Sequence, residues 1–157
     1  MLLDVTKVTP VAAPPAVAWA LLRDVPRFAA CIPKVSDLQV LEADRRYAAV
    51  VADRLGPFGL QVPVRIEVQS IEEPRRIQAA LAGDDSKGQA RLRGTLAAEV
   101  EPKEDGSELT VSMRLEVLGR LAALGAAPMR RRAEEIFAEF ARRLQQELSG
   151  AAGATHA

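Results

Sequence analysis

The sequence predicts an α+β fold: a curved antiparallel sheet of six to seven strands, two short helices after the first strand, and a long C-terminal helix over the sheet. Three observations indicate this. Apolar and polar residues alternate along successive segments, which is typical of strands with one covered and one solvated face. Short stretches such as "GPFG" and "KEDGS" separate these segments and are typical of hairpin turns. The last third of the chain changes to apolar residues at helical spacing.

The N-terminal part predicts one strand and two short helices. Residues 2–10 alternate and form the predicted first strand. Residues 13–25 favour a helix, because their two successive prolines suit a first helical turn, where a missing N–H costs little. Residues 26–32 favour a second short helix, which Pro33 ends.

The alternating segments place their apolar residues on one common, inward face. In the clearest of them, Val62, Val64, Ile66 and Val68 face one way and polar residues face the other. The predicted strands after the two helices are 34–43, 46–56, 61–71, 75–81, 89–101 and 108–117.

The C-terminal helix is predicted over residues 128–148. Its inward stripe runs from Met129 through Phe137 to Leu148, and the arginines 130–132 are expected on its solvated face. Residues 1–148 are therefore expected to form a single domain, with residues 149–157 as a disordered tail.

This order of elements is the helix-grip architecture. A bent sheet and a single helix rarely fill the space between them, so we expect a pocket lined by inward strand residues and the helix stripe. The residues predicted to contact a ligand there are Phe28, Tyr47, Val51, Phe58, Val64, Ile66, Leu81, Leu92, Met113, Leu115, Leu121, Met129 and Phe137.

Composition excludes several classes of function. Lys+Arg and Asp+Glu both number 21, and a net charge of zero argues against a nucleic-acid-binding protein. One cysteine allows neither an internal disulfide nor a thiolate zinc site. The lone histidine, His156, lies in the predicted tail, so no Ser-His-Asp or Cys-His arrangement can form in the folded part. We expect neither a cofactor nor a metal.

The N-terminus and the hydropathy pattern predict a soluble, cytoplasmic protein. No apolar run reaches the roughly 18 residues that a membrane span needs. The first residues, "MLLDVTKV", lack the basic and apolar regions of a signal peptide.

Four individual residues need an interpretation. Cys31 comes shortly before a helix-ending proline and has no histidine near it, so we expect a buried, unreactive thiol. Asp53 lies on the inward face, where it could pair with an Arg or polarise a ligand; we favour a bulge that turns it to solvent. Tyr47 needs a partner for its hydroxyl if it is buried. Phe58, in "GPFG", is either a gate to the pocket or an exposed turn residue.

Three segments carry a resemblance to a known family. They are "VAWALLRDVPRFAACIP" (17–33), "LGPFG" (55–59) and "GRLAALGAAPMRRRAEEIFAEF" (119–140). The chain resembles the G-subunit family of carbon monoxide dehydrogenase, within the Bet v 1/START-like (polyketide cyclase-like, SRPBCC) superfamily. Members usually read Cys-Ile-Pro-Gly, and Lys34 replaces that glycine here.

The resemblance implies a non-catalytic accessory protein. Such a protein would bind a lipophilic small molecule, such as a quinone, and would accompany a molybdenum hydroxylase of the carbon monoxide dehydrogenase type, with a peripheral membrane contact. Two alternatives remain open. One is an enzyme of the cyclase/dehydratase type that uses Tyr47 and Asp53; the other is a purely structural adaptor.

Overall fold

The computed structural model describes residues 1–85 and 87–155 of the chain. Secondary structure covers most of this range. In chain order the elements are β1 (Leu2–Val11), α1 (Pro15–Arg23), α2 (Val25–Ala30), β2 (Val35–Glu42), β3 (Arg46–Leu55), β4 (Phe58–Glu72), β5 (Arg76–Asp84), β6 (Arg91–Lys103), β7 (Gly106–Leu118), a 3₁₀ helix (Arg120–Leu124) and α3 (Ala126–Thr155).

The strands form one antiparallel sheet of seven strands in the order β1-β7-β6-β5-β4-β3-β2. Neighbours along the chain are neighbours in the sheet, except that β1 lies beside β7. The helices α1 and α2 connect β1 to β2, which are the two edge strands. This is the predicted fold, and the alternation that predicted it corresponds to the buried and exposed faces of the strands.

Some element boundaries differ from the prediction. The strand β4 begins at Phe58, because the turn before it needs only Gly56, with a positive φ of 56°, and Pro57. The 3₁₀ helix before α3 was not predicted. The helix α3 continues to Thr155, beyond the predicted end at Leu148. Disorder of the tail from Ser149 stays a prediction, and residues 156 and 157, with the lone histidine, lie outside the described residues.

Two separate apolar clusters fill the space between the sheet and α3. The first cluster joins the middle of α3, from Phe137 to Leu148, to α1 and α2, and its centre is Leu21, Leu109 and Leu144. Phe28 and Phe140 meet there edge to face, with ring centroids 5.2 Å apart. The second cluster lies under the start of α3, around Val62 and Leu121. A single helix thus covers the sheet at two places.

The corner between α2 and β2 is packed as its sequence predicts. The carboxylate of Asp24 caps α2 by accepting a hydrogen bond from the backbone N–H of Arg27 at 3.3 Å. Cys31 follows the helix, is 6% exposed and belongs to the first cluster. Burial raises the pKa of its thiol, which disfavours the reactive thiolate. Ile32, beside it, is half-buried and packs against the same cluster.

Lys34 completes this corner in a conformation that lysine disfavours. Its φ is 71°, in the left-handed region, and its carbonyl accepts a hydrogen bond from the N–H of Ala52 at 2.9 Å, so the chain enters β2 in register with β3. A left-handed conformation costs a residue with a Cβ roughly 1–2 kcal/mol, whereas glycine adopts it freely.

Replacing Lys34 by glycine should therefore stabilise the protein. For Lys34→Gly we expect the free energy of unfolding, measured by urea denaturation, to rise by about 0.5–1 kcal/mol. This is the strain that the substitution releases, reduced by the conformational entropy that glycine adds to the unfolded chain. The matched control is Lys7→Gly within β1, which should lower the free energy of unfolding. A Lys34→Gly protein less stable than the wild type would show that the corner is not strained.

Candidate ligand-binding cavity

A cavity of about 250 Å³ lies between the sheet and the first half of α3. Residues of both apolar clusters line it, such as Phe137 and Val111 from the first and Val62 and Leu121 from the second. The cavity is therefore the space that the two clusters leave between them. Its volume is just below the range of roughly 300–1,000 Å³ that is usual for small-molecule sites.

Most residues predicted to contact a ligand line this cavity. They come from α2, the inward faces of β3 to β7, the 3₁₀ helix and α3, so the strand alternation and the helix stripe converge on one space. These residues are Phe28, Val51, Val64, Ile66, Leu81, Leu92, Met113, Leu115, Leu121, Met129 and Phe137. That they bind a ligand stays a prediction.

Tyr47 does not line the cavity, although it was predicted to do so. It is 2% exposed and lies at the start of β3. Its hydroxyl accepts a hydrogen bond from the backbone N–H of Asp44 at 2.9 Å, across the turn between β2 and β3. The partner that a buried tyrosine needs is thus a local backbone group, and Tyr47 fixes a hairpin.

Phe58 also lies outside the cavity lining, although it was predicted to be part of it. It pairs with Leu55 as the first residue of β4 and is half-buried against the second cluster. The tight turn at Gly56 draws Phe58 into the sheet, which leaves it neither an exposed turn residue nor part of the wall.

One end of the cavity is charged. Its wall there includes Lys34, Asp53 and Arg132. The carboxylate of Asp53 receives two hydrogen bonds from the guanidinium of Arg132, Nη2 to Oδ1 at 2.8 Å and Nε to Oδ2 at 2.9 Å. It also accepts from the backbone N–H of Arg54 at 2.8 Å. The pair joins α3 to β3 across the cavity.

Two expectations about this end were wrong. Asp53 does not turn to solvent on a bulge: β3 and β4 pair without a register shift, and the side chain of Asp53 is 7% exposed. Arg132 does not lie free on the solvated face of α3; its side chain is 28% exposed and folds over the cavity toward Asp53. The arginine lies 79 residues from the aspartate, so no local pattern could assign this partner.

The ion pair sets the charge state of Asp53. Its hydrogen bonds from Arg132 lower the pKa of the carboxyl group, against the opposing effect of burial, and the nearby Lys34 adds to the lowering. Asp53 is therefore ionised at neutral pH and is already occupied by donors. It is not arranged as a general base.

The described residues hold neither a recognisable metal site nor a membrane-spanning helix. No group of three or more His, Cys, Asp or Glu side chains in the part of the chain with assigned structure could ligate a metal ion. None of the helices in that part combines the length and the apolarity that a membrane crossing requires.

The chain has the helix-grip fold of the Bet v 1/START type, and similar solved structures share this fold. A conserved protein from Geobacillus kaustophilus is 19% identical, with 96% of this chain and 97% of that chain covered and a TM-score of 0.81. A START superfamily protein from Mycobacterium smegmatis is 14% identical, and its match covers 96% of this chain and 98% of that chain with a TM-score of 0.68. An AHSA1 protein from Silicibacter pomeroyi is 19% identical, and its match covers 94% of this chain and 98% of that chain with a TM-score of 0.65.

The family follows from the sequence itself. The family model of CoxG, the G-subunit of carbon monoxide dehydrogenase, matches residues 9–149, which is most of the chain. The chain belongs to this family, as its three signature segments indicated. No curated protein matches the chain in sequence.

The Asp53–Arg132 pair should be measurable as a pH-dependent contribution to stability. Because the folded-state pKa of Asp53 is below its unfolded value of about 3.9, the contribution is fully present above the unfolded pKa and is lost as the pH falls through the folded pKa. We expect Asp53→Asn to lower the free energy of unfolding at pH 7 by about 1–3 kcal/mol, and the difference from wild type to shrink in acid.

The matched control is Asp84→Asn. Asp84 pairs with Arg91 at 3.2 Å, but both side chains are more than half exposed, so its loss should cost about 0–1 kcal/mol. Equal effects of the two substitutions in urea denaturation at pH 7 would contradict the account of the cavity end.

Proposed function

We propose that this protein is a non-catalytic accessory protein that binds a lipophilic small molecule in the cavity between its sheet and α3. The cavity is the observation that supports this: its wall is apolar except at one end, and it lies where the core is divided. The free energy falls when a lipophilic molecule displaces water from apolar surface of this kind.

Within this proposal the ligand is a quinone and the protein makes a peripheral contact with the membrane. The partner is a molybdenum hydroxylase of the carbon monoxide dehydrogenase type, which the name of the family supports. A volume of about 250 Å³ suits the ring system of a quinone or a short chain. A longer tail would have to leave the cavity or displace part of α3.

The enzyme alternative has less support. The cyclase/dehydratase alternative uses Tyr47 and Asp53, but only Asp53 lines the cavity, and its carboxylate is engaged by Arg132. The hydroxyl of Tyr47 binds a hairpin backbone N–H outside the cavity. General acid–base catalysis needs groups that can reach the proton to be transferred. No particular observation favours a purely structural adaptor over a binding protein.

Filling the cavity should weaken ligand binding strongly and leave the fold intact. Leu92 lines the cavity on β6, and Leu92→Trp would place an indole in the space of the ligand. After incubation with the small quinone menadione, native mass spectrometry should show a bound ligand on the wild type and at least about tenfold less on Leu92→Trp, a difference of about 1.4 kcal/mol.

The control is Val8→Trp, at a half-exposed position on β1 away from the cavity, which should bind menadione as the wild type does. Circular dichroism checks that both variants remain folded. A wild type that binds neither menadione nor any lipophile from the cells in which it is made would refute the proposed function. Co-purification with a molybdenum hydroxylase from the same host tests the partner separately.

A further inference from the structure

The charged end of the cavity carries more positive than negative charge. Lys34 and Arg132 are the cations of the wall, and Asp53 is its carboxylate. Asp53 already accepts hydrogen bonds from Arg132 and from the backbone of Arg54. Lys34 has no ion-pair partner within residues 1–85 and 87–149, so its charge is not neutralised by a contact with a carboxylate there.

A second carboxylate nearby does not remove this excess. Glu135 accepts a hydrogen bond from Nη1 of Arg132 at 3.3 Å, but it is not part of the cavity wall and its side chain is 59% exposed. It meets the guanidinium from the solvent side. On the cavity side, two cations thus face one carboxylate that is fully engaged.

The backbone of Lys34 supplies an independent reason to assign it a role. Its φ of 71° is one that glycine would hold without strain. The chain instead keeps a charged side chain at this strained position, on the exposed rim of an apolar cavity. Strained backbone that persists in a folded protein clusters at ligand sites, where the strain holds a side chain in place.

We propose that the cavity selects an amphiphile with one anionic end, such as a carboxylate, which binds Lys34 and Arg132 while its apolar part lies in the cavity. This rests on the proposed binding of a lipophilic molecule in the cavity, and it assigns an anionic amphiphile as the preferred ligand in place of a neutral quinone. The exposed rim keeps the charged groups partly hydrated, so the anion is not fully desolvated. A neutral quinone would fill the apolar space and leave Lys34 unused, which makes the two ligand classes separable.

The test compares two ligands of equal chain length, decanoate and decanol, with menadione as a neutral quinone, by isothermal titration calorimetry at about pH 7.5. The wild type should bind decanoate about tenfold more tightly than decanol, since an anion gains charge-assisted hydrogen bonds. Lys34→Met, which removes the charge, should lose this preference and retain its affinity for decanol. Lys7→Met, the same change at an exposed position on β1, should retain the preference.

Lys34→Gly provides a second variant, because it relieves the strain and is expected to fold at least as well as the wild type; it should behave as Lys34→Met does. Equal affinities of the wild type for decanoate and decanol would overturn the inference, as would a preference that survives in both Lys34 variants. Binding of menadione or decanol with no preference for decanoate would leave the proposed function standing. Binding of none of the three would overturn both.

Discussion

One long helix, with only the short helices α1 and α2 beside it, has to cover one face of a seven-stranded sheet, and the interior of this protein follows from that constraint. The helix α3 cannot contact both ends of a bent sheet equally along its length. Its middle, from Phe137 to Leu148, packs with α1 and α2 into the first cluster, and its start packs with the 3₁₀ helix into the second. The cavity is the space between these two contacts. It is therefore a consequence of the architecture and does not require a dedicated lid.

The Asp53–Arg132 pair is the polar link over this space. On the side of β1, α3 is held by apolar packing and by hydrogen bonds from Arg130 and Gln145 to backbone carbonyls of that strand. On the side of β3, a bidentate ion pair that is largely removed from solvent makes the connection. Such ion pairs fix the geometry of the two side chains. Their net contribution to stability is only the attraction between the charges minus the cost of removing both charges from water. The pair thus orients α3 over the cavity, while the apolar clusters supply the main stabilisation.

The sequence predicted the sheet, the helices and eleven of the residues that line the cavity, because strand alternation and the helical stripe indicate which side chains point inward. It failed where a residue's role depends on a partner distant in sequence. Asp53 was expected in solvent, since nothing near it indicated Arg132. Tyr47 and Phe58 were assigned to the wall from their face alone, whereas a hairpin N–H and a two-residue turn determine where they lie. Lys34 was seen as a departure from a family signature, and only its backbone angle and its place on the cavity rim give it a role.

The central claim is that a lipophilic molecule enters the space between the two clusters. Methyl-resolved NMR during titration with menadione tests it most directly, because some valine and leucine methyl groups line the cavity and others are buried in the packed core away from it. The account predicts shifts for Val62, Leu92 and Leu115, which line the cavity, and none for Leu21 and Leu109, which are fully buried away from it. Shifts confined to exposed methyl groups such as those of Val8 and Val40 would contradict it.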